Sequence, residues 1–453
     1  MTGREFAEQV CATLRKAGFQ AFLVGGCVRD ILLKREPEDY DVATDATPAE
    51  IEGLFPHTLD IGARFGVIVV MEDPKDAPAA KIEVATFRSD TSYSDGRHPD
   101  GVTYSKTPQE DVARRDFTIN ALLLDPATGE VLDFVGGRDD LRDGVIRAIG
   151  EPERRFQEDK LRMLRAVRFA ARFGYTIEPV TMAAIQKLAP EIGQVSAERV
   201  RDELTKILTE GAARRGFELL DATGLLAQVL PEIAKMKGVE QPAQFHPEGD
   251  VWDHTLLMLG MLEAGAPKTL AWGVLLHDVG KPPTFTPPSG PNGRIRFDRH
   301  VEVGVKMAEE IGRRFRFSNE DTEQVAQLVM NHMRFKDVPS MKPATLKRFA
   351  RLERFNEHME LHRLDCLSSH RNLDNWEAME RFLAETPPEQ VAPPRLLTGE
   401  DLIALGFRPG PRFKEILIAV EDGQLNGSLK DREEAERFVV EHYGAGAGNA
   451  NTE

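Results

Sequence analysis

The chain has 453 residues, enough for two to four domains with sizeable cores. Its formal net charge of −16 argues against a surface devoted throughout to nucleic acid, and its three cysteines, Cys11, Cys27 and Cys366, lack the paired spacing of a disulfide framework and suit a reducing compartment. The N-terminus has no charged-then-apolar signal pattern and no apolar run reaches the length of about eighteen residues that a membrane span needs, so a cytoplasmic location without a membrane partner is expected.

In chain order, residues 1–20 read as a helix, because Phe6, Val10, Leu14 and Phe19 recur at near-helical spacing. Strand patterns follow at Ala21–Val24, Tyr40–Ala43, Gly66–Met71 and Lys81–Thr86, with a helix at Pro48–Leu54. Ile119–Leu124 and Val131–Phe134 add two more strands before this mixed region ends near Ile149. Beyond Pro152 helical periodicity dominates, with Pro/Gly-rich breaks around 238–249, 282–293 and 386–394. The expected fold is α+β: a mixed-sheet head over 1–149, a helical neck over 150–237, a helical domain over 245–382 and a helical tail over 395–443. The Gly/Ala/Asn-rich end, 444–453, is expected to fray.

The head carries the first chemical signal. Leu23-Val24-Gly25-Gly26-Cys27-Val28-Arg29-Asp30 suggests a strand, a glycine turn and a helix that begins near Val28. Asp39 and Asp41 follow, two apart in a strand-like run, which points both carboxylates to one face. Such a pair repels unless a cation lies between, and Mg²⁺ favours oxygen ligands together with substrate phosphates. Glu83, in the strand Lys81–Thr86, can supply a third carboxylate. The polar stretch 88–102 reads as a mobile loop, and Arg114-Arg115-Asp116 offers charge for a triphosphate and an acceptor for a ribose hydroxyl. Glu158, Arg162 and Arg165 fall along one helical face, with Asp159 beside Arg162. A fixed Asp–Arg pair accepts and donates, and so can read a base edge without a template strand. Between Arg154 and Arg215 thirteen Lys and Arg face eight Asp and Glu, so a basic surface can form inside an acidic chain.

Taken together, Gly25-Gly26-x-Val28-Arg29-Asp30, Asp39-x-Asp41, Arg114-Arg115-Asp116-x-Thr118-x-Asn120 and Glu158-Asp159-x-x-Arg162 resemble the class II tRNA nucleotidyltransferase and bacterial poly(A) polymerase family, of the DNA polymerase β-like superfamily, across residues 20–235. The resemblance implies that Asp39 and Asp41, with Glu83 as a third ligand, bind catalytic Mg²⁺. It implies that Gly26, Arg29 and Arg115 contact the nucleotide phosphates and Asp116 the ribose. Asp159 and Arg162 would select CTP or ATP, supported by Arg165 and Arg168. The partners would be CTP, ATP and the 3′ end of tRNA, with no DNA expected. Ile61-Gly62-Ala63-Arg64-Phe65-Gly66-Val67 carries one arginine where poly(A) polymerases carry a Gly-Arg-Arg-Phe signature, and the loop 88–98 is not shortened. Both features favour CCA addition over an A-only or poly(A) activity, which stay open as alternatives.

A second constellation lies downstream. His277-Asp278 sits in Leu-Leu-His-Asp-Val-Gly-Lys-Pro, an apolar setting where an adjacent His-Asp pair is costly unless paired or ligated. With His254, His300, His332 and Asp365 it resembles the HD phosphohydrolase domain over about 245–380. By that resemblance His254, His277, Asp278 and Asp365 would hold one divalent metal of unspecified identity, and His300 and His332 a second, with Asp278 bridging. His246, His358, His362 and His370 are read as structural or peripheral. A 2′,3′-cyclic phosphate or 2′-phosphate at an RNA end would be the natural substrate, the alternative being a metal-stiffened domain without chemistry. A competing reading makes the chain a metal phosphohydrolase whose head only binds nucleotide or RNA. The tail, Leu397–Leu402 then Gly406–Pro411, reads as a helical hairpin that packs or meets RNA phosphates.

Overall fold

The computed structural model describes residues 1–62, 66–73, 80–90, 102–244, 246–289 and 293–444. It divides into two compact units, Met1–Lys235 with Leu262–Ala266 and Arg314–Arg316, and Met236–Met261, Pro267–Arg313 and Phe317–Glu453.

In the first unit, α1 (Gly3–Lys16) starts at a capping box, in which the Thr2 hydroxyl accepts from the Glu5 amide and the Glu5 carboxylate accepts from the Thr2 amide. Its stripe of Phe6, Ala7, Val10, Cys11 and Leu14 is buried, and it packs on β1 (Ala21–Val24). Then come α2 (Gly26–Leu32), β2 (Asp41–Thr44), α3 (Pro48–Leu54), β3 (Thr58–Gly62), β4 (Val67–Met71) and β5 (Lys81–Thr86). A short ladder pairs β6 (Arg88–Asp90) with β7 (Val102–Tyr104). Next are α4 (Pro108–Ala113), β8 (Leu123–Leu124) and β9 (Val131–Leu132). The seven-stranded sheet runs β3-β4-β5-β2-β1-β8-β9, with β2 and β5 parallel and the other pairs antiparallel. The parallel pair follows from the crossover through α3 and the β3–β4 hairpin. At the end of β1, Gly25 takes φ +80, a region that favours glycine, and a side chain there would come 3.4 Å from Arg115 Nη1.

Helices then build the neck: α5 (Gly137–Asp143), α6 (Pro152–Glu158), α7 (Leu161–Phe173), α8 (Pro179–Leu188), α9 (Ala197–Thr209), α10 (Ala213–Ala222), α11 (Leu225–Val229) and α12 (Pro231–Ala234). Between them β10 (Val145–Ile146) pairs in parallel with β11 (Thr176–Ile177), so a small ladder spans the expected border near Ile149.

Several local expectations need correction. Asp39 lies in a bend ahead of β2 rather than on the strand, which begins at Asp41. Edge strand β3 was not expected, its apolar signal being weak and Leu59 half exposed. Ile119–Leu124 is not one strand. Thr118–Asn120 forms a 3₁₀ turn because polar ties hold it: the Thr118 hydroxyl donates to Asp140, and the Asn120 amide donates to Asp116. Val131–Phe134 shortens because Asp133 accepts the amides of Val135, Gly136, Gly137 and Arg138 and turns the chain. Helix α2 starts at Gly26 rather than Val28. Glu158 to Arg165 is not one helix either: Asp159 is extended, with φ −147, and its carboxylate accepts the amide of Leu161, which starts α7 afresh. Residues 63–65 of the signature segment, most of the 88–102 loop and residues 445–453 lie outside the described residues.

The second unit is helical. Its elements are α13 (Val251–Gly260), α14 (Lys268–Leu276) and α15 (Lys281–Thr284), a hairpin of β12 (Phe285–Thr286) with β13 (Arg296–Phe297), then α16 (His300–Arg314), α17 (Asn319–Asn331), α18 (Pro343–Ala350), α19 (Phe355–Ser368), α20 (Asp374–Glu385) and α21 (Pro388–Val391). One apolar cluster gathers Phe335, Val338, Phe349, Phe355, Met359 and Met379. The tail is three helices rather than a hairpin: α22 (Gly399–Ala404), α23 (Pro411–Asn426) and α24 (Arg432–Tyr443) enclose their own core of Leu402, Phe407, Ile416, Val420 and Val439.

Candidate active site and metal centre

In the first unit the register of the sheet brings the carboxylates together. Asp41 opens β2 opposite Val24 on one side and opposite Glu83 of β5 on the other. Burial pushes the Asp41 carboxyl up to about 6, with Glu83 and Asp39 adding to the rise and Arg115 opposing it. Asp41 thus has two acidic neighbours, an arrangement a hard cation would relieve, although the three carboxylates are not drawn together into a closed cage.

Beside them lies a cleft of about 500 Å³. Every head and neck residue expected to meet nucleotide lines it: Gly26, Arg29, Arg115, Asp116, Asp159, Arg162, Arg165 and Arg168. Asp41 lines it too, whereas Asp39 and Glu83 stand exposed outside the lining. Eight arginines against Asp41, Asp116 and Asp159 make the cleft strongly cationic within an acidic chain.

The arginines are held by carboxylates, two of which, Asp111 and Glu203, the sequence did not announce. Asp111, fully buried on α4, takes Arg114 on one oxygen at 2.6 Å and Arg115 on the other at 3.0 Å. Helical spacing at i+3 and i+4 was the available signal. Arg29 donates to both oxygens of the Asp30 carboxylate, each at 2.9 Å, and to Asn120 at 2.7 Å. Asp116 receives Arg165 at 2.6 Å; burial alone would raise its pKa, but the guanidinium holds it at about 2. Arg168 is buried against Glu203 at 2.7 Å. The expected Asp159–Arg162 side-chain pair is absent among the described residues. Asp159 pairs instead with Arg199 of α9 at 2.8 Å, and Arg162 with Glu158 at 3.1 Å, because the break after Glu158 turns Asp159 off the helix. No spacing rule connects Arg199 to Asp159 across 40 residues.

In the second unit the histidines converge. His254 and His277 rings lie 5.4 Å apart, His277 and His332 5.5 Å, and His300 and His332 5.5 Å. Each uses Nδ1 on its own surroundings: His254 on Glu248 at 2.7 Å, His277 on the Val274 carbonyl, His300 on the Phe297 carbonyl and His332 on the Val329 carbonyl. All four Nε2 atoms are buried without a hydrogen-bond partner. A buried imidazole with Nδ1–H engaged and Nε2 bare is the state that ligates metal, and His300 and His332 present it. His254 Nε2 faces Asp365 and His277 Nε2 faces Asp278, both at 3.2 Å, and the carboxylates on either side of His254 raise its pKa to about 9 against burial, so a metal there would displace its proton. Asp278 belongs to two candidate ligand groups, one with His254 and His277, the other with His300 and His332. Asp365 Oδ1 stands 3.2 Å from His254 Nε2. The donor set therefore fits one divalent cation and a bridged second. Lys281 Nζ touches Asp278 at 2.7 Å and Gln241 at 2.7 Å, and with His277 beside it this holds the Asp278 carboxyl well below its usual range against burial. Asp278, His300, His332 and Asp365 open onto a cavity of about 1010 Å³. His246, His362 and His370 also line it, whereas His358 is buried and stacks on Phe355.

Three family models match the chain: the poly A polymerase head domain over residues 21–147, the "Probable RNA and SrmB- binding site of polymerase A" over 174–237, and the HD domain over 251–368. The chain thus carries a poly A polymerase head domain, the RNA-binding region that accompanies it and an HD domain. Among its relatives, the CCA-adding enzyme of Geobacillus stearothermophilus is 43% identical over 221 residues, 49% of this chain and 53% of that protein. That of Bacillus subtilis (strain 168) is 40% identical over 269 residues, 58% of this chain and 66% of that protein. The chain thus spans about half the length of the first curated relatives it matches. The solved CCA-adding enzyme of Bacillus stearothermophilus in complex with CTP superposes with a TM-score of 0.74 at 27% identity, covering 98% of both chains. No helix among the described residues is long and apolar enough to cross a membrane.

Proposed function

We propose that this chain adds CCA to the 3′ end of tRNA from CTP and ATP, without a template and with release of pyrophosphate, in the cytoplasm. The observation that carries the reading is the carboxylate set of Asp39, Asp41 and Glu83 beside a cleft lined by eight arginines. The full-length likeness to a CCA-adding enzyme complexed with CTP supports it.

Asp39, Asp41 and Glu83 would hold Mg²⁺, which supplies charge neutralisation at the triphosphate and stabilises the attacking and leaving oxygens. The rest is positioning by the chain. Arg114 and Arg115, spread by Asp111, meet the β- and γ-phosphates. Gly26 lets the backbone approach the phosphates, with Arg29 beside it. Asp116, fixed by Arg165, faces the ribose. The RNA 3′-hydroxyl oxygen attacks the α-phosphorus in line, the new phosphodiester bond forms, and the bond to pyrophosphate breaks. Asp159 accepts from the exocyclic amino group that cytosine and adenine share, and Arg162 donates to the ring edge. We assign this work to a head over 1–149 and a neck over 150–237, with an HD domain over 245–382 and a tail over 395–443.

Incubating the protein with tRNA lacking its 3′ end, with CTP and ATP separately and together, and sequencing the products tests the reading. CCA supports it, A alone or a long A tract assigns the A-adding or poly(A) branch, and no incorporation leaves a head that only binds.

The convergence of the four histidine Nε2 atoms with Asp278 and Asp365 supports a second, additional activity: hydrolysis of a 2′,3′-cyclic phosphate or 2′-phosphate at an RNA 3′ end by the HD domain. His254, His277, Asp278, Asp365, His300 and His332 would hold divalent metal, which supplies an activated water and polarises the phosphoester.

A further inference from the structure

Helix α9 and its C-cap Glu210 present charges that complement α7 and Asp159, two residues ahead of it. Glu203 receives Arg168 at 2.7 Å, and Glu210 lies 3.5 Å from Arg172. One turn before Glu203, Arg199 Nη2 donates to Asp159 Oδ2 at 2.8 Å. Asp159 Oδ1 accepts the Leu161 amide at 3.0 Å. The carboxylate is therefore pinned at both oxygens, once by the start of α7 and once by α9, and each oxygen keeps capacity for one more donor.

Arg162 is differently placed. Its Nη1 donates to Glu158 and the Arg155 carbonyl, both at 3.1 Å, and its Nη2 to the Arg114 carbonyl at 3.2 Å. Among the described residues Arg199 bonds only to Asp159, and it lines the same cleft, which leaves most of its guanidinium donors unused there.

We infer that Arg199 is a specificity-determining positioning residue: its ion pair aims the Asp159 carboxylate into the cleft, so that a base with an exocyclic amino group is accepted and one with a carbonyl at that place is rejected. The inference rests on the nucleotidyl-transfer reading of the cleft. Cytosine offers an amino group where uracil offers an oxygen, and a carboxylate that drifts loses that distinction.

The test measures kcat and KM for the first addition to tRNA lacking CCA, with CTP and with UTP, for the full chain and for Arg199→Ala, Arg199→Lys, Arg199→Gln and Asp159→Ala. In Arg199→Ala the CTP to UTP ratio of kcat/KM should fall roughly ten- to hundredfold, the worth of one charge-assisted hydrogen bond. Arg199→Lys should recover part of the ratio, because an ammonium still donates once to Asp159, and Arg199→Gln should not. A merely structural role lowers kcat for both nucleotides together and leaves the ratio unmoved. An unchanged ratio in Arg199→Ala with a lost ratio in Asp159→Ala overturns the inference alone. An unchanged ratio in both overturns the base-reading role of the cleft as well. Should Arg199→Ala unfold, the lysine and glutamine variants decide on the same ratio.

Discussion

Asp41 and Glu83 stand directly opposite each other in the parallel β2–β5 pair, and Arg115 offsets only part of what burial and repulsion do to Asp41. The burial and repulsion that push Asp41 up to about 6 make the metal-free head less stable than its packing allows. Asp41→Asn should therefore raise the melting temperature of the metal-free protein by about 2–4 °C, the equivalent of about 1 kcal/mol. The same substitution should lower single-turnover nucleotide addition by on the order of a thousandfold or more. Calorimetry with EDTA, beside rapid-quench incorporation with Mg²⁺, reads both. A variant that is less stable and still active at wild-type rate removes Asp41 from the metal site.

Asp111 links two arginines through separate oxygens of one buried carboxylate. Asp111→Asn keeps the shape but withdraws the charge, leaving Arg114 and Arg115 without their shared acceptor. Breaking a buried pair from one side costs about 3–5 kcal/mol. Both arginines stay partly accessible to water, so the stability loss expected is smaller, about 1–3 kcal/mol. KM for the nucleoside triphosphate should rise more than kcat falls, because the arginines meet ground state and transition state alike. Steady-state kinetics with CTP check it; a pure kcat effect contradicts the assignment.

The division between what the chain announced and what it concealed follows from sequence distance. The strands Ala21–Val24 and Lys81–Thr86 and the helix Pro48–Leu54 fall where local patterning places them. The residues expected to meet nucleotide, Gly26 to Arg168, converge on one cleft because ordered motifs mark the ends of elements that the sheet brings together. Contacts made across the fold were not readable. Arg199 reaches Asp159, and Glu203 reaches Arg168, only once α9 packs on α7. Glu248 escaped for a different reason: it sits in a Gly/Pro-rich break where a lone glutamate reads as solvent-facing, yet it bonds both His246 and His254. The break after Glu158 was concealed because helix propensity around it is high, and one Asp side chain capping Leu161 decides the matter.

The histidine cluster predicts a metal-dependent stability of the second unit. Binding to the native state alone stabilises by about 2.7 kcal/mol at a hundredfold excess over Kd. With Mn²⁺ or Ni²⁺ in place of EDTA, a later unfolding transition is expected. His277→Ala and His332→Ala should each reduce the shift, since each removes one of the converging Nε2 atoms. Asp39→Ala should leave it intact. Differential scanning calorimetry with and without chelator measures this, and an identical shift in His277→Ala would falsify the ligand assignment.

Acid should weaken the second unit through His358. Its ring is buried on α19 against Phe355, and its Nε2 has no hydrogen-bond partner. Burial, helped by Arg334, pushes its pKa down to about 4. The unfolded chain takes up a proton near pH 6.5 that the folded chain refuses until about 4. Stability from this group is thus complete above pH 6.5 and declines as pH falls from there toward 4, by about 2 kcal/mol at pH 5. His358→Leu removes the titrating ring and keeps an apolar side chain, so its stability should fall less steeply than wild type between pH 7 and 5, by close to one proton in the slope. Chemical denaturation at half-unit pH steps, with metal held constant, isolates the difference. Parallel wild-type and variant curves across that window would show that His358 does not control the acid response.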